Sequence, residues 1–444
     1  MVLVQSSKIS LPSSSTPTNS FLFEPNSHSL ALMHSDSSVS VFPSLSFPSL
    51  SSLPNKPQPT LVPSPSSSSS FILLQQDSTN LNNPSVLFLT AGPYKGGSQI
   101  LFRLFLLQKD RVFSKVNAVC NQKGLDFDAK LGVLMDVNHG VSLKIVGSVN
   151  FFVMYSVSSR KVWVFSLKLI GNGDVVKLMR CAVIECCVPV WSISASFGFL
   201  ILGEHNGVRV FNLRQLVKGN SKKIKSSNSD LVIVKPESKG LKLPNGMIGS
   251  DHRSVSATCN GLLDEKIDKH YISVKEKYVK CRQDSDDGGA FVAFKSKDAV
   301  GLKSPVKAVS IQALFPKKLI ILDSSGDLHI LSLPNPVGAL NVRFQMMHLP
   351  HSMKVQKLAI LPDVSSKIQT IWISDRLHTV HMMMASEMDD EVNKNDGDEN
   401  QEKLMQISVN QSIFAGEKIQ DLVALGANGI LILGEGNIYA YAMP

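Results

Sequence analysis

An all-β chain built from a repeated antiparallel unit is what this sequence predicts, and three observations carry the prediction. An apolar run, a short polar turn and a second run of alternating apolar residues recur seven times along the 444 residues. The turns are made mostly of Asp, Ser, Asn and Gly, which supply tight reversals and positive φ. The flanking runs are rich in Val, Ile, Leu and aromatic residues, the types that fit a pleated, half-buried surface. Such a hairpin cannot bury both of its faces alone, so repetition implies stacking of neighbours.

The copies read, in order, LALMHSDSSVSVF (30–42), VLFLTAGPYKGGSQILFRLF (86–105), FFVMYSVSSRKVWVFSL (151–167), FLILGEHNGVRVFNL (199–213), KLIILDSSGDLHILSL (318–333), TIWISDRLHTVHM (370–382) and GILILGEGNIYAYAM (429–443). A further strand-like stretch precedes the better copies: VPVWSISASF before Phe199, SPVKAVSIQALF before Pro316, MKVQKLAILP before Asp363 and EKIQDLVALG before Ala427. Three strands per copy are thus recognisable, and we place a fourth upstream of them. Four antiparallel strands repeated radially make a seven-bladed β-propeller of four-stranded antiparallel blades, with helix scarce and long disordered inserts between strands. Two β-sandwiches joined by a linker would explain the alternation but not the recurrent hairpin. The marks Asn206 and Ser325 stand 119 residues apart, against about 40–45 for one blade. AFVAFKS (290–296) within that gap is strand-like and leaves an eighth copy open.

On these residues the chain resembles the WD-repeat β-propellers. VWSISASFGFLILGEHNGVRVFNL (190–213) is similar to the family's pattern of inner strand, Gly-containing turn and outer strand, and 306–333 matches it nearly as well. The Trp-Asp dipeptide is absent from all seven copies; Phe211-Asn212 stands in its place, and no Gly-His dipeptide occurs. The family's buried Asp–His–Ser network is therefore not carried over. The resemblance implies a non-catalytic protein-interaction scaffold.

Composition agrees. Hydrophobic residues make up 43% and charged residues 18% of the chain, and no apolar run reaches the roughly 18 residues of a membrane-spanning helix. Six cysteines are too sparse for a disulfide scaffold and fit a reducing compartment, nucleus or cytoplasm. The acid-poor, Ser-rich start is open to a second reading as a plastid transit peptide, although its first 23 residues lack arginine.

The net charge of +9 is unevenly placed. Segment 218–287 is a basic, low-complexity insert, and 386–404 is an acidic loop read as disordered. Residues 44–70, ending in SPSSSSS, read as a solvated Ser/Pro-rich loop that cannot offset its ordering entropy. The hairpin register places the stretches after Phe42, Leu213 and Met384 beyond the last strand of a blade. They then share one face, and loops on a rigid scaffold commonly carry function. On that face Lys218, Lys222, Lys223 and Lys225 are the candidate interaction residues, for partners that are other proteins. Tyr271 and Tyr278 interleave with Lys269, Lys275, Lys277, Lys280 and Arg282. That spacing opens an alternative, a nuclear chromatin- or RNA-associated factor whose basic insert contacts phosphates. A short helix with a mixed charged face is the plainer reading of this stretch.

Catalytic constellations are not found. Cys181, Cys186 and Cys187 lie on or beside VIECCVPVW and read as core thiols, without the second ligand pair that zinc needs. His378 and His381 are three apart on a strand and point to opposite faces. GPYKGGS (92–98) lacks the helix and Lys-Ser/Thr of a phosphate loop and reads as a hairpin loop. Trp163, Trp191 and Trp372 read as blade-packing residues. No enzyme activity, cofactor, metal or membrane partner is expected; the remaining enzymatic reading is a propeller enzyme with a metal or acid residues in its central channel.

Overall fold

Successive side chains of a strand point to opposite sides of its sheet, and here both sides are buried. In the strand Phe199–Glu204 every residue is buried. Leu200 and Leu202 pack with Val153, Tyr155 and Val164 of one neighbouring sheet, while Phe199 and Ile201 pack with Ile311, Leu319 and Ile321 of the other. Burial on both faces turns alternation into the near-continuous apolar runs FLIL and KLIIL. The computed structural model describes residues 5–9, 16–45, 58–75, 84–137, 140–171, 174–217, 276–281, 289–294, 305–334, 344–349, 353–361, 366–387 and 405–443. They form a seven-bladed β-propeller with a separate hydrophobic core between each pair of neighbouring blades.

Blades 1 to 6 each run from an innermost to an outermost strand in chain order. Blade 1 is Thr18–Glu24, Ser29–His34, Val39–Phe42 and Thr60–Val62. Blade 2 is Ser68–Leu74, Ser85–Tyr94 and Gln99–Leu107, with the outer place divided between Phe113–Lys115 and Gly132–Asp136. Leu125–Asp128 pairs beyond the latter. Blade 3 is Leu143–Gly147, Phe151–Ser156, Lys161–Ile170 and Val175–Glu185. Blade 4 is Ser192–Ser196, Phe199–Glu204, Gly207–Asn212 and Ala290–Ala293. Blade 5 is Ala308–Phe315, Lys318–Asp323, Leu328–Ser332 and Gln345–Leu349. Blade 6 is Lys357–Ile360, Ile368–Ser374, Thr379–Glu387 and Met405–Phe414. Blade 7 takes Asp421–Ala424, Gly429–Leu433 and Ile438–Ala442 from the C-terminal part and its outermost strand, Gln5–Ile9, from the N-terminal part. That exchange closes the ring, with Gln5 opposite Ala442 and Ile9 opposite Ile438.

The seven sequence hairpins are all present, but they are the second and third strands of their blades. The fourth strand lies downstream, not upstream, of the hairpin. Outer strands were hidden because one of their edges is open and their apolar content is lower, as in AFVA with only Val292 buried. AFVAFKS is therefore the edge of blade 4 and not an eighth blade. The stretches after Phe42, Leu213 and Met384 join third to fourth strands. They still leave from one face, because every third-to-fourth connection does, but it is the face of the first-to-second turns.

The Ser/Pro-rich stretch is also more structured than its composition implied. Ser68–Leu74 is the innermost strand of blade 2 and Thr60–Val62 the outermost of blade 1. The Ser68 and Ser70 hydroxyls accept the Ile145 and Gly147 N–H groups at 2.9 and 2.7 Å, fastening blade 2 to blade 3. Equivalent polar staples continue around the inner strands. Lys144 donates to the Trp191 carbonyl, Ser192 to the Ala308 carbonyl at 2.7 Å, and Gln312 to the Leu358 carbonyl at 2.6 Å. Lys357 meets Asp421 at 2.7 Å, and Asp421 accepts the Phe21 N–H at 3.2 Å. Polar residues are thus tolerated on the innermost strands because each finds a partner on the next blade, a backbone group in most cases and the Asp421 carboxylate in the case of Lys357. The carboxylate of Asp421, on the inner strand of blade 7, is engaged in this stapling.

Candidate interaction site

Outermost strands carry unpaired N–H and C=O groups that invite pairing. In blade 3 that edge is covered by three pieces from elsewhere in the chain. Asn117–Val119 pairs in parallel with Val175–Lys177. The Gln122 side-chain amide donates to the Arg180 carbonyl at 2.8 Å and accepts the Arg180 N–H at 2.5 Å. Lys277–Lys280 then pairs in parallel with Ala182–Glu185.

This last strand is the return of the long insert. The chain leaves blade 4 through the short helix Leu213–Val217, whose first turn is capped by Asn212 Oδ1 accepting the Arg214 N–H at 3.0 Å. It comes back along the edge of blade 3 before completing blade 4. The stretch read as a charged helix is thus a strand where it is described. Val279 faces the core while Tyr278 and Lys280 are exposed. Lys218, Lys222, Lys223 and Lys225 lie outside the described residues, as do most of 218–287 and residues 388–404. Within the acidic segment, Glu387 is described: it ends a blade 6 strand and pairs with Lys318 at 2.8 Å.

The return strand walls a cleft of about 790 Å³ between blades 2 and 3. Met135, Trp163 and Val183 form its apolar floor. Its rim comes from the hairpin turns of the two blades, with Lys95 from blade 2 and Lys161 from blade 3. Arg180 is tied to Glu276 at 2.7 Å, and Asp136 accepts from Gln99 at 2.8 Å. Both lining carboxylates are therefore engaged, and among the described residues Lys95 and Lys161 have no salt bridge. The cleft joins an apolar floor to two cations that stand outside any salt bridge among the described residues, Lys161 facing Glu185 across the ladder as its more distant charge partner.

A second set of polar groups sits inside the blades. Across the hairpin of blade 4, Glu204 meets Arg209 at 2.7 Å. At the matching place in blade 5, Asp323 meets His329 at 2.8 Å, and in blade 1 His34 meets Ser40 at 2.8 Å. All six residues are buried. In each case the first residue ends the second strand, two positions beyond the one that pairs directly with its partner. A buried polar pair in the hairpin is therefore present in three blades, although no network was expected. The sequence signal was a polar residue closing one apolar run and another near the start of the next. The fold is that of a seven-bladed β-propeller. No protein-family model matches the chain, and no curated protein matches it in sequence. Among solved structures it is similar to the β-propeller domain of Cps50 (Swd1) from Myceliophteria thermophila, at 8% identity and a TM-score of 0.48, covering 99% of this chain and 100% of that one. The RRP9 WD40 repeats match at 7% identity and a TM-score of 0.43, covering 99% of this chain and 97% of that one. U3-55K matches at 7% identity and a TM-score of 0.42, covering 99% and 98%.

Other residues singled out by sequence are placed as follows. Trp163 and Trp372 are buried, but Trp191 is half-buried, with Lys307 Nζ 4.0 Å above its ring. Cys181 and Cys186 are core thiols, whereas Cys187 is exposed. It lies past the end of the strand, where the core side no longer repeats. His381 bonds Ser412 at 2.7 Å, and His378 stacks on Phe414, so the two do not converge. Residues 95–97 form the expected hairpin turn. Among the described residues no group of three His, Cys, Asp or Glu is placed to hold a metal, and no helix is long and apolar enough to cross a membrane.

Proposed function

We propose that this propeller is a non-catalytic interaction platform whose cleft between blades 2 and 3 receives an acidic protein segment bearing a bulky apolar side chain. The observation that carries the reading is the pairing of the Trp163 floor with Lys95 and Lys161 at the rim. The floor offers apolar burial and the cations offer charge complementarity, which sets orientation and approach. A rigid ring suits this role because seven cores hold the rim in place without the ligand. Lys218, Lys222, Lys223 and Lys225 add a local positive field that draws the same class of partner from a distance. Nucleus or cytoplasm is the setting in which such partners would be met.

Capture of partners from native extract tests the proposal. The tagged full chain is compared with Lys95→Glu/Lys161→Glu and with Lys222→Glu/Lys223→Glu/Lys225→Glu, each with and without nuclease. Loss of acidic partners from the first variant, at unchanged thermal stability, supports the cleft. The triple variant should capture less at low salt than at high salt, relative to the parent, and imaging it reads any role in nuclear retention. Capture that is indifferent to Lys95 and Lys161 but abolished by nuclease overturns the reading in favour of a nucleic-acid ligand.

A further inference from the structure

Four of the cysteines gather at the outer edge of blade 3, although Cys281 is far from the others in sequence. The parallel ladder that ends at Glu185 opposite Lys280 continues for one more step, with the Cys281 N–H donating to the Glu185 carbonyl at 3.0 Å. Cys186 and Cys281 are therefore the next pair in register. Both are buried in the same core, that between blades 3 and 4, so their side chains share a face. Neighbouring strands lie about 4.8 Å apart, inside the window of roughly 4.4–6.8 Å between Cα atoms that a disulfide spans. Cys187 is turned elsewhere: its thiol donates to the Cys281 carbonyl at 2.6 Å.

We propose that Cys186 and Cys281 form a redox-active dithiol whose oxidation to a disulfide fastens the return strand of the insert to blade 3. The neighbouring Cys281 thiol, with burial, raises the Cys186 thiol above its ordinary value. Cys186 in turn lowers the Cys281 thiol against burial, with the Arg209 guanidinium adding to the lowering and Glu204 opposing it. Cys281 directly follows the short edge strand, which pairs on one side only, so it is the thiol that an oxidant reaches first, and Cys186 beside it in register is the resolving thiol.

Hydrogen peroxide is the oxidant. The Cys281 thiolate attacks one peroxide oxygen, the O–O bond breaks, and hydroxide leaves with the electron pair. The resulting sulfenic acid is attacked at sulfur by Cys186, which gives its proton to the departing oxygen. Two thiols and one peroxide become one disulfide and two waters. Access comes from the return strand itself. It pairs on one side only and has four residues, with Tyr278 and Lys280 facing solvent. Short, exposed strands open more readily than core strands. In the reduced state the strand opens and closes; in the oxidised state it is held.

The test uses the full chain, treated with peroxide under native conditions, alkylated, digested and examined by mass spectrometry, with backbone hydrogen exchange measured in parallel. The expected result is a bridge between Cys186 and Cys281, slower exchange of the Val279 to Cys281 amides, and reversal of both by a dithiol reductant. Cys187→Ser should keep the bridge and Cys186→Ala should lose it. The mapping on the unaltered chain stands even where a variant fails to fold. A bridge to any other cysteine instead, over-oxidation without any bridge, or a bridge that leaves exchange unchanged overturns the proposal.

Discussion

Arg209 and Glu204 make a two-point ion pair inside blade 4, with Nε and one Nη donating to the two carboxylate oxygens at 2.7 and 3.2 Å. The guanidinium also reaches the Gly289 carbonyl and lies over the Phe291 ring, so it ties the hairpin to the outermost strand that the chain completes after the long insert. A planar, five-donor group is needed for that set of contacts, and lysine would not supply it.

Breaking that pair should cost more than replacing it. Glu204→Gln or Arg209→Met leaves one buried charge without its partner, at about 3–5 kcal/mol. The double replacement Glu204→Gln/Arg209→Met should be clearly milder than the sum of the single changes. Denaturant unfolding of the four proteins checks this, and additive losses would show that the two charges do not depend on each other.

Blade 5 should respond to acid through Asp323. Burial alone would raise its carboxyl, but the hydrogen bonds from His329, Ser325 and the Asp327 N–H outweigh burial and hold it below the ordinary aspartate value. A depressed value in the folded state means stability that is present above the unfolded value of about 3.9 and is lost as pH falls through the folded value. Melting curves from neutral pH down should therefore fall more steeply below about pH 4 for the parent than for Asp323→Asn. Asp323→Asn should also be less stable than the parent at neutral pH, because the charge-assisted bond to His329 is gone.

The insert should be divisible. Replacing 220–274 by a short flexible linker keeps the return strand, and the melting temperature should stay within about 2 °C. Extending the deletion through Cys281 removes Val279 and uncovers the edge of blade 3. It should lower the melting temperature further, and the exposed strand edge should promote association. Equal stability of the two deletions would mean that the return strand contributes no packing.

Ring closure should depend on the N-terminal strand. Deleting residues 1–9 takes Ile9 from the core between blades 7 and 1 and leaves Ile438–Ala442 as an open edge. A marked loss of stability together with concentration-dependent aggregation is expected, measured by thermal melting and light scattering. By comparison Ile321→Asp, a carboxylate at a fully buried position in the second strand of blade 5, should prevent folding altogether.

What the amino-acid order determined by itself is the repeat. Seven hairpins were legible because second and third strands are buried on both faces, which forces apolar runs broken by turn residues. LIIL before Asp323 and LHIL after Asp327 could hardly serve otherwise. The blade type follows from that, whereas the count of seven was settled when AFVAFKS proved to be the edge of blade 4. What only the tertiary structure decided lies at the two rims of each sheet. Ser68 and Ser70 look like a solvated tract until Ile145 and Gly147 are seen to need their hydroxyls. Lys277–Lys280 looks like a charged surface helix until the edge of Val175–Glu185 is seen to need covering. Gln5–Ile9 gives no hint that its partner is Ile438–Ala442. The cleft of Lys95, Lys161 and Trp163, and the meeting of Cys186 with Cys281, also draw on residues far apart in the chain. Local order specifies residues whose environment repeats with the strand period. It leaves unspecified those whose partners are supplied by another blade, because a polar side chain in sequence does not show which distant backbone group it will satisfy.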